Sequence, residues 1–341
     1  MKPQDLIAEQ RRKQRRRYYR IAGLLVLLAG LSVLYLCIGK TSYSLPEVLS
    51  AISGKGGSAA FTVGVLRLPR LWMGLLAGLA LGAAGTTFQT LLRNPLASPD
   101  IIGVSTGTSA AALFCILFLQ LSGSITSLIS ITCGLGIAAL LVLCGKRTLF
   151  SSSRMILVGL GLQAMLNALI SYMLLKANQQ DVSTAMRWLS GSLTGMRMEQ
   201  VLPMALVILP AIAVLTLLQR HLAIMETGEE LAITLGVSTA KVRAFCILFA
   251  VILLAFTTSA CGPIAFVSFL AGPISRQLNK EGSINILMAA LIGAALVVTG
   301  DFIAQTLFAT RFPVGVMTGI LGAPYLLILL IRMNKTGGIQ P

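Results

Sequence analysis

The sequence predicts an all-α polytopic membrane protein with ten transmembrane helices and both termini in the cytoplasm. Three observations carry this expectation. Of 341 residues, 56% are apolar and only 11% charged, with a mean hydropathy of +0.86, whereas a soluble globular chain keeps roughly 25% of its residues charged. Apolar runs of about 20 residues, the length that crosses a hydrocarbon core roughly 30 Å thick, recur along the chain. Backbone groups in lipid must be paired within the segment, so these runs are helices. The third observation is an uneven distribution of Lys and Arg between alternate connections, as the positive-inside rule requires.

The elements follow in order. The first 20 residues hold eight of the 27 Lys and Arg, as Lys2 and "RRKQRRRYYR". A net charge of +16 would suggest nucleic acid in a soluble chain. Here the cluster abuts the apolar run 21–38, where it sets orientation and meets anionic lipid, and no nucleic-acid partner is expected. No small-x-small cleavage site follows, and "LYLC" before Cys37 is a poor lipidation match, so the run reads as an uncleaved first helix. Further runs lie at 71–92, 101–121, 125–144, 155–175, 201–219, 244–262, 286–308 and 314–332. The tenth, "IAFVSFLAGPIS" at 264–275, is only twelve residues long, with a re-entrant path as its alternative. Counting it as a crossing places 19 of the 27 basic residues inside, whereas turning it back would expel Arg332 and Lys335. The predicted organisation is a basic tail, 1–20, a single transmembrane domain, 21–335, and a short C-terminal tail, 336–341.

Packing and chemistry can also be read from residue types. Gly74, Gly78 and Gly82 recur every four residues and mark a helix face that a neighbouring backbone can approach. Pro203, Pro210, Pro263, Pro273 and Pro324 fall in or beside helices, where each deletes a backbone hydrogen bond. No catalytic constellation is visible. Six scattered cysteines and a single histidine, His221, give no disulfide or metal framework. "GKTS" at 39–42 and "SGKGGS" at 53–58 lack the phosphate-binding loop pattern, so ATP would be handled by another subunit. Asp301 is the one carboxylate clearly inside an apolar run, and it needs a partner or a place near the interface.

Between the second and third runs, "TLLRNPLASPDIIGV" at 90–104 is polar and proline-punctuated. By composition it is a tight hairpin on the inner face, with Arg93 obeying the charge rule and Asp100 near the start of the third helix.

Three separated motifs carry a family resemblance. "LRLPRLWMGLLAGLALGAAGTTFQTLLRNPLASPDIIGVSTG" (66–107), "METGEELAITLGVSTAKVR" (225–243) and "FPVGVMTGILGAPYLLILL" (312–330) resemble the FecCD/BtuC-like permeases, membrane subunits of ABC importers for iron–siderophores, haem and cobalamin. Among relatives the chain looks most like the ferric catecholate permeases. The resemblance implies ten helices, a second permease subunit, two ATP-binding subunits and an extracytoplasmic substrate-binding protein, with alternating access driven by ATP. It implies no cofactor in this chain, since ATP and Mg would sit in the partner ATPase.

Residue roles follow from the same resemblance. Glu229, Glu230, Ala232, Leu235 and Gly236, within a cytoplasmic segment 222–243, match the part that couples to the ATPase. Arg67 and Arg70, at the start of the second helix, match arginines that pair with glutamates of the binding protein, a bidentate contact suited to guanidinium. Asn94 and Leu96, opposed by Ser151 and Ser152, match a cytoplasmic gate. Two departures stand out. "GDFIAQ" at 300–305 has Gln305 where the family usually has an arginine, so the familiar i,i+4 ion pair with Asp301 is absent and Arg311 becomes the candidate for the missing docking charge. "AGPISR" at 271–276 lacks the usual Pro-His but keeps Arg276. Both favour a heterodimer with a different permease, with a homodimer as the alternative. The expected function is ferric-siderophore import, with cobalamin or haem as alternative cargoes. An ion-coupled secondary carrier, or a purely structural membrane subunit, is the reading from another class.

Overall fold

A computed structural model describes residues 3–54, 57–121, 123–144, 152–279, 284–308 and 310–335, and among these every regular element is helical. In chain order they are α1 (Pro3–Cys37), α2 (Leu45–Ile52), α3 (Gly57–Ala59), a π-helical stretch (Ala60–Arg67), α4 (Leu68–Leu91), a 3₁₀ turn (Pro99–Ile102), α5 (Val104–Leu117), α6 (Ser124–Cys144), α7 (Ser152–Lys176), α8 (Gln179–Leu189), α9 (Met198–Glu226), α10 (Glu229–Thr234), α11 (Thr239–Cys261), α12 (Val267–Asn279), α13 (Ile286–Thr306) and α14 (Val314–Lys335). Seven of the described helical spans are long and apolar enough to cross a membrane, and α5 and α6 are shorter apolar helices. The chain is a multi-pass membrane protein.

The basic tail and the first apolar run share one helix, α1, unbroken from Pro3 to Cys37. One end of the bundle holds the start of α1's apolar run and the last turns of α4, α9 and α12; it is called proximal below. The distal end holds the last turn of α1, the start of α4 and the end of α13.

The span Ala60–Leu91 lies at the centre of the fold, 83% of its apolar window being buried against 17% for Arg12–Cys37. Its small-residue stripe explains this. At Gly78 an added Cβ would strike the Ala294 backbone and the Gly293 carbonyl, and at Gly82 the Ala289 carbonyl. Gly293 faces back onto the same two glycines, so α4 and α13 touch backbone to backbone. Gly74, one turn earlier, meets the Leu193 side chain. In lipid, where apolar burial between helices gains little over acyl chains, such close packing is the main source of association. The Met73, Ala77, Ala80, Ala84 and Phe88 side chains of α4 are fully buried among α9, α11 and α13.

The prolines behave as their chemistry dictates. Pro203 and Pro210 lie inside α9, Pro273 inside α12 and Pro324 inside α14. Pro273 has no N–H for the Phe269 carbonyl one turn back. The Gln89 side-chain amide of α4 donates to that carbonyl instead, at 2.9 Å.

Candidate functional site

At the distal end the sequence places a carboxylate in oil, and the fold supplies its counter-ion. Asp301 is fully buried, and Arg70 reaches it with a forked contact, Nε to Oδ2 at 2.8 Å and Nη2 to Oδ1 at 2.6 Å. Tyr35 Oη donates to Oδ2 at 2.5 Å, and Gln305 Nε2 donates to Oδ2 at 2.8 Å. The expected lack of an i,i+4 ion pair is therefore real, yet the charge is matched from α4, and Gln305 contributes a hydrogen bond across the same spacing. Sequence reasoning missed Tyr35. Its only local signal is a phenol at the end of the first span.

Arg67 is also buried, and it faces inward. Nη1 donates to the Leu36 carbonyl at 2.7 Å and Nη2 to the Thr41 carbonyl at 2.6 Å. Leu36 lies in the last turn of α1, where carbonyls lack helical partners and attract cations. The guanidinium also stands 5.5 Å from the Tyr43 ring centroid and occupies the place where Gly39 would carry a Cβ. Arg67 and Arg70 thus both spend donors within the fold. They still contribute, with Lys40, Arg311, Thr194 and Gln305, to the lining of a cavity of about 140 Å³. Arg311 is exposed there.

At the proximal end, α4 stops at Leu91 and Arg93 takes a left-handed φ of 48°. Asn94 closes the turn, its N–H on the Gln89 carbonyl at 3.0 Å and its Oδ1 accepting from the Leu96 N–H at 2.9 Å. Asn94 is exposed and Leu96 half-buried. Ser98 and Ser105 both donate to the Asp100 carboxylate, at 3.0 and 2.7 Å, and Gly103, in the left-handed region, separates the 3₁₀ turn from α5. Ser151, the predicted counterpart of Leu96, lies outside the described residues. Ser152 opens α7, and its side chain is likewise undescribed.

Between α9 and α11 stands α10, a single apolar knob. Gly228 at φ 143° turns the chain into it, and Gly236 at φ 80° turns it out, with the Gly236 N–H on the Ile233 carbonyl and the Val237 N–H on the Ala232 carbonyl. Both glycines hold backbone conformations that a side chain would strain. Ala232 is fully buried against the bundle, whereas Leu231, Ile233 and Leu235 are 50%, 58% and 62% exposed. Glu229 and Glu230 occupy the first turn, where carboxylates suit the helix dipole, and Glu229 also pairs with Arg243 at 3.2 Å.

A larger cavity, about 320 Å³, opens between α5, α7 and the loop after α11. Its polar lining includes Asp100, Ser105, Ser109, Gln163, Asn167 and Thr258. Among the described residues there is no group of three or more His, Cys, Asp or Glu able to hold a metal ion.

A bundle of apolar helices with a buried ion pair at one end, a proline-broken turn and an exposed apolar knob at the other, and a polar cavity between, defines a polytopic helical membrane protein. The chain belongs to the FecCD transport family, whose model matches residues 25–332. It is 36% identical to the ferric enterobactin transport system permease protein FepG of Escherichia coli (strain K12), over 87% of this chain and 91% of that one. It is also 36% identical to the Fe(3+)-citrate import system permease protein YfmE of Bacillus subtilis (strain 168), over 94% and 96%. Among solved structures, a chain described as an inward-facing conformation of a metal-chelate type ABC transporter superposes with a TM-score of 0.83 at 27% identity, covering 92% of this chain and 98% of that one.

Proposed function

We propose that this chain is the permease subunit of an ATP-driven importer that carries a ferric siderophore complex across the cytoplasmic membrane by alternating access. The observation that carries the reading is the family match across 25–332, with relatives named as permeases for ferric enterobactin and ferric citrate. In this reading α1, α4–α7, α9 and α11–α14 are the ten crossings, the proximal end is cytoplasmic, and both termini lie inside. The transmembrane domain is 21–335, flanked by the tails 1–20 and 336–341. Two permeases, preferentially this chain and a different one, line a central path, and the polar cavity beside Asn167 opens onto it.

The α10 knob is the coupling element. The exposed Leu231 and Ile233 of α10 and Leu235 at its end, rimmed by Glu229 and Glu230, form a contact surface for an ATPase that holds the nucleotide and Mg. At the distal end the binding protein docks over the basic cavity. Since Arg70 is neutralised by Asp301 and Arg67 is engaged with carbonyls, Arg311 and Lys40 supply the charge most open to a partner's carboxylates. The turn at Asn94 and Leu96 serves as one lip of the cytoplasmic gate.

The test is uptake of radio-iron-labelled ferric enterobactin and ferric citrate by vesicles containing this chain with its ATPase and partner permease. Uptake of one chelate that requires both ATP and the ATPase is the expected result. Uptake that persists without either would overturn the mechanism in favour of a carrier working alone.

A further inference from the structure

The proximal end carries a second ionic assembly that the functional reading leaves unused. Arg276, in the last turns of α12, donates from Nη2 to Glu226 Oε1 at 2.7 Å and to Thr90 Oγ1 at 3.2 Å. Glu226 is the final residue of α9, three positions before α10 begins, and Thr90 lies in the last turn of α4, three positions before the turn at Arg93. A parallel strut runs beside it, with Arg93 Nη2 donating to the Met225 carbonyl at 2.6 Å. Both bonds join the segment leading into the knob to the segment leading into the gate turn, and one guanidinium lies in each. Arg276 and Glu226 are part-buried, whereas Thr90 is buried. Arg276 Nε, however, is enclosed and has no acceptor among the described residues.

We infer that Arg276, bonded to Glu226 and Thr90 and seconded by Arg93 on the Met225 carbonyl, is a positioning residue that transmits movement of the α10 knob to the 93–98 turn. The inference rests on the proposed function, since it presumes that α10 is moved by an ATPase. The physical reason is connectivity. The two struts connect the end of α9 directly to the end of α4, whereas α10 itself packs chiefly on α9 and α11. A displacement of α10 that turns the end of α9 therefore reaches the gate turn most directly through Glu226 and the Met225 carbonyl. A charge-assisted bond suits this role because it holds direction as well as distance. One guanidinium reaching two helices makes their ends move as a unit.

The experiment uses the assembled importer in liposomes, loaded with its binding protein and radio-iron-labelled ferric enterobactin or ferric citrate, and reads chelate imported per ATP hydrolysed. R276Q and E226Q are expected to assemble with the ATPase and hydrolyse ATP, while chelate moved per ATP falls about tenfold, within the usual range of coupling free energies between sites. The exchanged pair E226R/R276E is expected to recover most of that ratio. If uptake and hydrolysis in R276Q fall in proportion, or the ratio is unchanged, Arg276 is only structural and the inference fails. If R276Q does not assemble, E226Q and R276K supply the same comparison, with R276K expected to retain more of the ratio than R276Q would. A wild-type importer that moves neither chelate with ATP would instead overturn the proposed function.

Discussion

At the scale of single residues, the Asp301 cluster shows how a membrane protein holds a charge in its interior. Arg70 takes both carboxylate oxygens, and Tyr35 and Gln305 complete the acceptor capacity of Oδ2. Removing one member of such a pair strands the other. Asp301→Ala is therefore expected to destabilise the protein by about 3–5 kcal/mol, whereas replacing Asp301 and Arg70 together with Leu and Met would cost far less. Thermal unfolding in detergent checks this, and equal losses in the single and double variants would contradict it. Gln89 offers a smaller case. Its amide satisfies the carbonyl that Pro273 leaves free, so Gln89→Leu should cost about 1–3 kcal/mol. In a Pro273→Ala background, where the helix can supply its own N–H, that cost should shrink. A double-mutant cycle on melting temperature measures the difference.

At the scale of elements, the α4–α13 contact and the α10 knob follow different physics. The first is a backbone contact with no room for a Cβ at Gly78 or Gly82. Either glycine changed to Val should push the helices apart and lower folded yield, while Gly74→Ala, which meets only side-chain ends of Leu193, Val297 and Val298, should be milder. Detergent-stable yield by size-exclusion chromatography ranks the three. The knob is the reverse, an apolar surface that the described residues leave uncovered. Leu231, Ile233 and Leu235 changed together to Ser should leave folding intact and abolish co-purification of the ATPase. Unimpaired co-purification would remove α10 from the coupling role.

At the scale of the whole molecule, the two ends are separated by the length of the bundle, and alternating access requires that they respond oppositely. The gate reading predicts that Leu96→Gly, in this chain and at the matching position of its partner, makes liposomes holding the resting importer leak small solutes. A seal that stays tight would return the turn to an ordinary connection. The docking reading predicts that reversing Arg311 and Lys40 to Glu weakens binding-protein affinity with a strong salt dependence. Reversing Arg70 should instead destabilise the chain, because its charge is buried against Asp301.

Much of this molecule was legible before any coordinates. Apolar run length set the helices, and the glycine spacing marked the face of α4. The motif at 225–243 located the knob, since its two glycines and paired glutamates sit in a short charged break between apolar runs. These signals are local, because lipid forces backbone pairing within each segment and so ties structure to composition. What the sequence could not disclose depended on residues far apart in the chain. Arg70 and Asp301 are 231 positions apart, and Arg276 meets Thr90 across 186. Residue type says that a buried carboxylate needs a cation, and only helix packing decides which one arrives. The sequence by itself therefore determined the helices, the family and the positions of knob and turn. The tertiary structure decided which arginines face inward, because an ion pair is chosen by distance in space and no period along the chain encodes it.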